Sequence, residues 1–140
     1  MNFLLACAMS VFLFSGPETE LIAEINKERE AHGVTALSVN WEVARLARYR
    51  TEEMIELNFF GHNSRIYGEP DEMLIWFGVP FVSAGMNIAK GQDTAKEVIG
   101  AWLSSPSHRE NLLNADFTSV GVGLSVDEDI LYWTLILIGE

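Results

Sequence analysis

Cysteine and basic residues are scarce in this chain of 140 residues, and each scarcity excludes a class of protein. Cys7 is the only cysteine, so no disulfide can form within the chain and its fold must be stabilised by packing. Nine Lys and Arg residues stand against twenty Asp and Glu residues, which gives a net charge of −11. This charge repels phosphate backbones and anionic lipid headgroups, so we expect no nucleic-acid partner and no basic docking to membranes.

A hydrophobic run long enough to span a bilayer is also missing. Residues 3–14 form an apolar run of twelve, whereas a spanning helix needs about 20 residues. Such a run is typical of a signal-peptide core, although no Lys or Arg precedes Lys27. We therefore expect residues 1–16 to be a signal peptide or apolar leader, residues 17–140 to be one domain, and the protein to be secreted or extracytoplasmic. The alternative is an N-terminal strand or helix packed on the domain.

Helical patterns occupy much of the first two thirds of the chain. Capping residues and apolar periodicity predict helices that begin at Pro17, at Trp41 and after Thr94. Pro106 is expected to end the third helix, and a short turn carrying His108 should follow. Three acidic runs are expected to be solvated surface: residues 18–20, 52–53 and 127–129.

Strand patterns dominate the C-terminal part. Three strands are predicted, the last two joined as a hairpin: residues 84–89, 120–126 and 131–138. Trp102, on a helix, and Trp133, in the last strand, are predicted to be core residues. Helices and strands do not alternate regularly, which favours an α+β fold in which helices cover a small, mainly antiparallel sheet.

Two histidines are the candidate functional residues that stand out by position. His62 follows Gly61, and His108 follows Pro106 and Ser107, so each lies at the boundary of an element and next to a turn-forming residue. Two imidazoles held in this way are the minimum for a shared metal or proton-transfer site. The alternative is two structural histidines bonded to backbone groups.

The order and spacing of five short segments resemble the CAP superfamily, which contains cysteine-rich secretory proteins, antigen 5 and the plant pathogenesis-related 1 proteins. The likeness is greatest to the short bacterial members with a single SCP domain, and it extends over about residues 19–138. The segments are Ile25-Asn26-Lys27-Glu28-Arg29, Phe60-Gly61-His62, Gly85-Met86-Asn87-Ile88-Ala89, Trp102 to Leu113, and Phe117 to Gly123. The resemblance implies a three-layer α-β-α sandwich with a central cleft.

In that family the cleft carries two histidines and two glutamates, which can hold a divalent cation such as zinc. By position, His62 and His108 match the two histidines. Met86 stands where the first glutamate is expected. Ser105 stands about where the second would be, and many bacterial members also have serine at that position. The resemblance therefore implies a cleft formed by His62, Met86, Ser105 and His108, with His62 and His108 as the metal ligands.

The missing acids decide which function we expect. Zinc prefers four ligands, and two imidazoles leave half of its shell to water, so zinc should bind weakly at most. A neutral thioether can neither act as a general base nor raise the pKa of a histidine. We expect a secreted, non-enzymatic CAP domain whose cleft binds a small apolar ligand or an extracellular protein. The alternatives are a metal-dependent hydrolase using both histidines and a structural or adhesion module with a vestigial cleft.

Overall fold

The computed structural model describes residues 16–140, so the predicted leader lies outside the described residues except for Gly16. This part of the chain contains five α-helices: α1 (Pro17–Ala31), α2 (Trp41–Glu56), α3 (Pro70–Trp76), α4 (Ala95–Leu103) and α5 (Pro106–Leu113). It also contains four strands: β1 (Ser38–Val39), β2 (Ser83–Lys90), β3 (Ser119–Asp127) and β4 (Ile130–Gly139). The short elements β1 and α3 have too little periodicity to be predicted from the sequence.

The strands form one sheet in the order β1-β3-β4-β2. The predicted hairpin is confirmed, because β3 and β4 pair antiparallel from Ser119 opposite Ile138 to Asp127 opposite Ile130. The β2 strand adds to β4 in antiparallel orientation, whereas the two residues of β1 pair parallel with β3. The sheet is therefore mixed, and the prediction of an α+β fold is confirmed.

Each face of the sheet is covered by helices over its own apolar core. Helices α1, α4 and α5 cover one face, and the core there includes Leu21, Trp102, Leu112 and Trp133. Helices α2 and α3 cover the other face over a second core. Trp102 and Trp133 are 1% and 0% exposed, so both are core residues as predicted. The three-layer α-β-α sandwich is thus confirmed.

Two glycines of β3 let helix α2 lie directly on the sheet. A Cβ atom on Gly121 would come within 2.2 Å of the backbone nitrogen of Ala44, and one on Gly123 within 2.3 Å of that of Arg48. These distances are far inside van der Waals contact, so any side chain there would force α2 away from the sheet. The close packing fixes the position of α2, which holds one half of the candidate site.

The predicted starts of the helices are confirmed, with one correction. The Asn40 side chain accepts hydrogen bonds from the backbone of Glu42 and Val43 at the start of α2. The short turn predicted around His108 is wrong, because Pro106 is the first residue of an eight-residue helix. Proline is well suited to that position, since its fixed φ angle is helical and the first N–H of a helix has no intrahelical partner.

The prediction that the acidic runs are solvated is also wrong for two residues. Glu18 and Glu53 are each 4% exposed, and both are paired with arginines of α2. Glu18 lies 3.3 Å from Arg48 and Glu53 lies 2.8 Å from Arg50. A buried carboxylate requires such a partner, and charge runs in a sequence do not reveal which member turns inward.

Candidate functional site

The structure brings His62 and His108 together. Their ring centres are 6.2 Å apart and the ring planes are inclined by 41°. His62 is exposed and His108 is half-buried, so the pair is open to solvent. His62 follows α2, which covers one face of the sheet, whereas His108 belongs to α5 on the other face. The pair therefore joins the two helical layers.

A buried ion pair holds the loop that carries His62. Arg50 donates through Nη1 to Oε1 of Glu53 at 2.8 Å and through Nη2 to the carbonyl oxygen of Gly61 at 2.8 Å. The Glu53 carboxylate also accepts from the Ser64 hydroxyl at 2.7 Å and from the Arg65 backbone N–H at 2.8 Å. His62 thus lies between two anchored positions, Gly61 and Ser64.

Side-chain amides tie the helix of His108 to the free edge of β2. Asn87 is fully buried and donates to the carbonyl oxygen of His108 at 3.1 Å. Asn111, one turn further along α5, donates to Oδ1 of Asn87 at 2.9 Å and to the Met86 carbonyl oxygen at 3.3 Å. Since buried amides need partners, this arrangement fixes the position of α5 along the strand.

A buried arginine holds the other end of α5. Arg29, in α1, is 1% exposed and donates to the carbonyl oxygens of Leu112, Asn114 and Phe117 at 2.8–3.0 Å. Helix C-termini leave four carbonyl groups without intrahelical partners, and the Arg29 guanidinium donates hydrogen bonds to carbonyl groups at this end. Arg29 therefore holds the segment after α5 against α1.

The other two candidate cleft residues have different surroundings. Met86 is 5% exposed and packs in the apolar core beneath α2 and α3, together with Ile136. Ser105 is half-buried and directly precedes α5 as its N-cap residue, but its side chain makes no capping hydrogen bond. Neither residue brings a carboxylate to the histidines, as their sequence positions implied.

The surroundings of His62 favour its neutral form. Partial burial of the ring lowers the pKa of His62 below its usual range, and the nearby charges of His108 and Arg50 lower it further. The residue as a whole is exposed, so water screens these charges and limits the size of the shift. A neutral imidazole has a nitrogen lone pair that can accept a hydrogen bond or bind a metal ion.

The donor set can supply half of a zinc site. Two imidazoles that bind one zinc ion tetrahedrally at 2.0–2.1 Å have ring centres about 5 Å apart. The observed separation of 6.2 Å exceeds this by about 1 Å, within reach of a small side-chain movement. Among residues 16–140, however, no group of three or more His, Cys, Asp or Glu side chains is placed to hold a metal ion. The His62–His108 pair would leave the remaining positions of the ion to water.

Sequence reasoning missed the residues that position the two histidines. Arg50 lies on the apolar stripe of α2, four residues after Leu46 and four before Met54, and an arginine at such a position signals a buried ion pair. Asn87 and Asn111 both belong to the segments used for the family resemblance, but their pairing depends on the fold. The positioning residues are therefore visible in the sequence only as polar residues within apolar patterns.

Comparisons with known proteins agree with this architecture. A family model described as CAP, the cysteine-rich secretory protein family, matches residues 22–137. The uncharacterized protein YkwD of Bacillus subtilis is 39% identical over 126 residues, which cover 90% of this chain and 48% of YkwD. The chain therefore spans about half the length of this relative.

Solved structures show the same fold. An extracellular protein of Bacillus anthracis that contains an SCP domain has a TM-score of 0.81 at 30% identity, over 89% of this chain and 41% of that protein. An outer surface protein of Borrelia burgdorferi has a TM-score of 0.80 at 22% identity, over 87% of this chain and 91% of that one. Within residues 16–140, no helix has the length and apolar character to cross a membrane.

Proposed function

Since this chain belongs to the cysteine-rich secretory protein family, CAP, we propose that it is an extracytoplasmic, non-enzymatic binding domain with its site at His62 and His108. The observation that carries the proposal is the facing pair of imidazoles, 6.2 Å apart, each positioned by buried polar contacts. A site that is merely vestigial would not need such support on both sides. Export is supported by the extracellular and outer-surface proteins that share the fold.

The lack of nearby acids argues for binding rather than turnover. A hydrolase needs an activated nucleophile and a group that stabilises developing charge. In the described part of the chain, the two histidines have no carboxylate with which they could form a metal-binding group of three. Met86 and Ser105 offer no replacement. The Met86 side chain is packed in the apolar core, and Ser105, which directly precedes α5, has no carboxylate. The imidazoles remain as hydrogen-bonding groups and weak metal ligands.

An exposed ring near His62 supports a ligand that is partly apolar. Phe60 lies two residues before His62, is 47% exposed, and contacts the buried Tyr132 ring at 6.4 Å between centres. A ligand that combines an apolar body with a polar group would cover Phe60 and hydrogen-bond to an imidazole. A small apolar molecule of this kind, or an apolar side chain of an extracellular protein, is the ligand class we propose.

Zinc calorimetry combined with mass spectrometry of an organic extract tests the proposal. The native protein should bind zinc weakly, and His62→Ala and His108→Ala should each abolish that binding. His32→Ala is the control, since His32 is an exposed histidine at the end of α1 whose Nε2 lies 3.2 Å from the guanidinium of Arg109, beside His108, and is not one of the two facing rings. The extract of the native protein should contain an apolar molecule that is lost from both site variants.

Two results would contradict the proposal. Hydrolysis of a chromogenic ester that depends on both histidines would identify an enzyme instead of a binding domain. Zinc binding that is equally weak in all variants, with no co-purifying molecule, would leave only a structural or adhesion role for the domain.

A further inference from the structure

A second surface of the domain exposes several large apolar side chains. The surface, which we name the α3 patch, consists of Leu57, Ile66, Ile75, Trp76 and Phe77. Trp76 is 72% exposed, Ile75 68% and Ile66 62%. Single exposed apolar residues are ordinary on proteins, whereas neighbouring ones usually mark an interaction site. The segment 66–77 lies outside the family-like motifs and carries neither histidine of the pair.

Contacts between aromatic rings link the patch to helix α2. The Tyr67 ring lies 5.7 Å from the Trp76 ring and 4.9 Å from the Phe77 ring. On its other side it lies 5.8 Å from the Tyr49 ring of α2. Such edge and tilted contacts restrict the rings, so the patch presents an ordered aromatic surface and loses little side-chain freedom on binding.

Carboxylates line the same surface. A cavity of about 140 Å³ is bounded by Tyr49, Leu57 and Ile66 together with the acids of α2, Glu52, Glu53 and Glu56. Glu53 is engaged with Arg50, but Glu52 and Glu56 are exposed. The volume suits the end of one side chain rather than a larger organic ligand.

Helix α3 adds acids beside its exposed apolar residues. Asp71 precedes Ile75 by four residues and Glu72 precedes Trp76 by four, so each acid and apolar residue are neighbours on the helix surface. Between residues 51 and 89 the chain has six acids and a single Lys or Arg residue, Arg65. The Arg65 guanidinium lies over the Phe59 ring at 4.3 Å from its centre. The patch is therefore apolar and aromatic, with a strongly acidic border.

We propose that the α3 patch docks a segment of a partner protein in which Lys or Arg residues alternate with apolar ones. The apolar side chains would cover Ile75 and Trp76, where burial of exposed surface drives association. A cationic side chain would enter the cavity between the Tyr49 ring and the carboxylates of Glu52 and Glu56. Cations bind favourably both to aromatic faces and to carboxylates, which selects a basic segment over a neutral one.

A pair of synthetic peptides tests this proposal on the full-length chain. The probe is a peptide of about 15 residues that alternates Lys and Arg with Leu and Trp, and its matched control carries Gln in place of every Lys and Arg. Calorimetry at low salt should show binding of the probe at least tenfold tighter than that of the control. Affinity for the probe should fall as salt rises, because the carboxylates are exposed.

Matched variants locate the binding surface. Affinity for the probe should fall at least tenfold in Trp76→Ala. It should fall at least tenfold also in the double variant Glu52→Gln with Glu56→Gln. Trp41→Ala replaces another tryptophan that is 67% exposed and should leave binding unchanged. His62→Ala should also leave it unchanged, so failure of this proposal and failure of the proposed cleft function can be told apart.

Other occupants of the patch have their own signatures, and each would overturn the proposal. Absence of probe binding, or equal affinity for the probe and the Gln control, would exclude a cationic segment as the occupant. Concentration-dependent dimerisation that Trp76→Ala abolishes would make a second copy of the chain the occupant. Binding of neutral phosphatidylcholine vesicles that depends on Trp76 would make it a lipid surface.

Discussion

The sharpest test of how the site is held concerns Glu53. Changing Glu53 to Ala leaves the guanidinium of Arg50 buried at 1% exposure without its anion. It also removes the acceptor for the Ser64 hydroxyl and for the Arg65 backbone N–H, at 2.7 and 2.8 Å. Of the hydrogen bonds that Arg50 and Glu53 make to the loop with His62, the one from Arg50 to the Gly61 carbonyl oxygen would remain.

The expected cost follows from burial. Breaking a buried ion pair by removing one partner costs about 3–5 kcal/mol, because the other charge remains away from water. A domain of this size has a total stability of about 5–15 kcal/mol, so the variant should lose a large part of it. For a domain of this size, the loss corresponds to a fall in Tm of about 10–15 °C. Glu53→Gln keeps an acceptor oxygen but not the charge, and should cost about 2 kcal/mol.

Denaturant titration and thermal unfolding of native protein, Glu53→Ala and Glu53→Gln measure these losses. Glu52→Ala is the matched control, because Glu52 is the adjacent acid on α2 and is exposed. Hydrogen exchange should show faster opening of residues 61–65 in Glu53→Ala. A loss below about 1 kcal/mol, or a loss equal to that of Glu52→Ala, would refute the reasoning that this ion pair holds the loop.

Four further predictions concern the site and the core. Met86→Glu should bind zinc at least tenfold more tightly than the native protein in calorimetry, a gain of about 1.4 kcal/mol. Without zinc the variant should be less stable than the native protein, because it buries a carboxylate. Equal zinc affinity of the two proteins would mean that position 86 does not face the histidines. In an NMR titration the pKa of His62 should lie below the usual range of histidine, and His108→Ala should raise this pKa by removing one cause of the shift. Because the folded pKa is the lower one, the stability linked to His62 is present above pH 6.5 and is lost as the pH falls through the folded pKa. Trp102→Ala should cost about 3–5 kcal/mol in denaturant titration, and a cost below about 1 kcal/mol would contradict its burial. A chain that starts at Pro17 should unfold cooperatively in calorimetry, whereas recovery only as an aggregate would show that the leader belongs to the core.

The sequence predicted the parts of the fold that depend on local signals. Asn40 as an N-cap, the capping residue Thr94 and the hairpin turn after Asp127 each act within a few residues, so their effects can be derived without the tertiary structure. Pro106 shows the limit of this approach. Proline ends one helix and can also begin the next, and the contacts that decide between these outcomes come from β2, which is distant in sequence.

The candidate site was predictable only as a pair of residue types. His62 and His108 were marked by position and by resemblance, but they are 46 residues apart, and no local pattern specifies that their rings face each other. The polar residues behind them were missed, because a single charge in a run of acids does not show which way it points. Glu53 turns inward and Glu52 outward, although the two are adjacent.

The position of the two imidazoles on opposite helical layers has a consequence for durability. A chain with one cysteine has no internal covalent crosslink. A ligand bonded to both rings would close a loop between residues 62 and 108 and act as a reversible crosslink between the two layers. Because such a ligand would bind the folded chain and not the unfolded one, it would stabilise the fold by mass action, by about 2.7 kcal/mol at a ligand concentration of 100 times its Kd. Occupancy of the site would then set how long the domain resists proteases, so that its lifetime would report the concentration of its ligand.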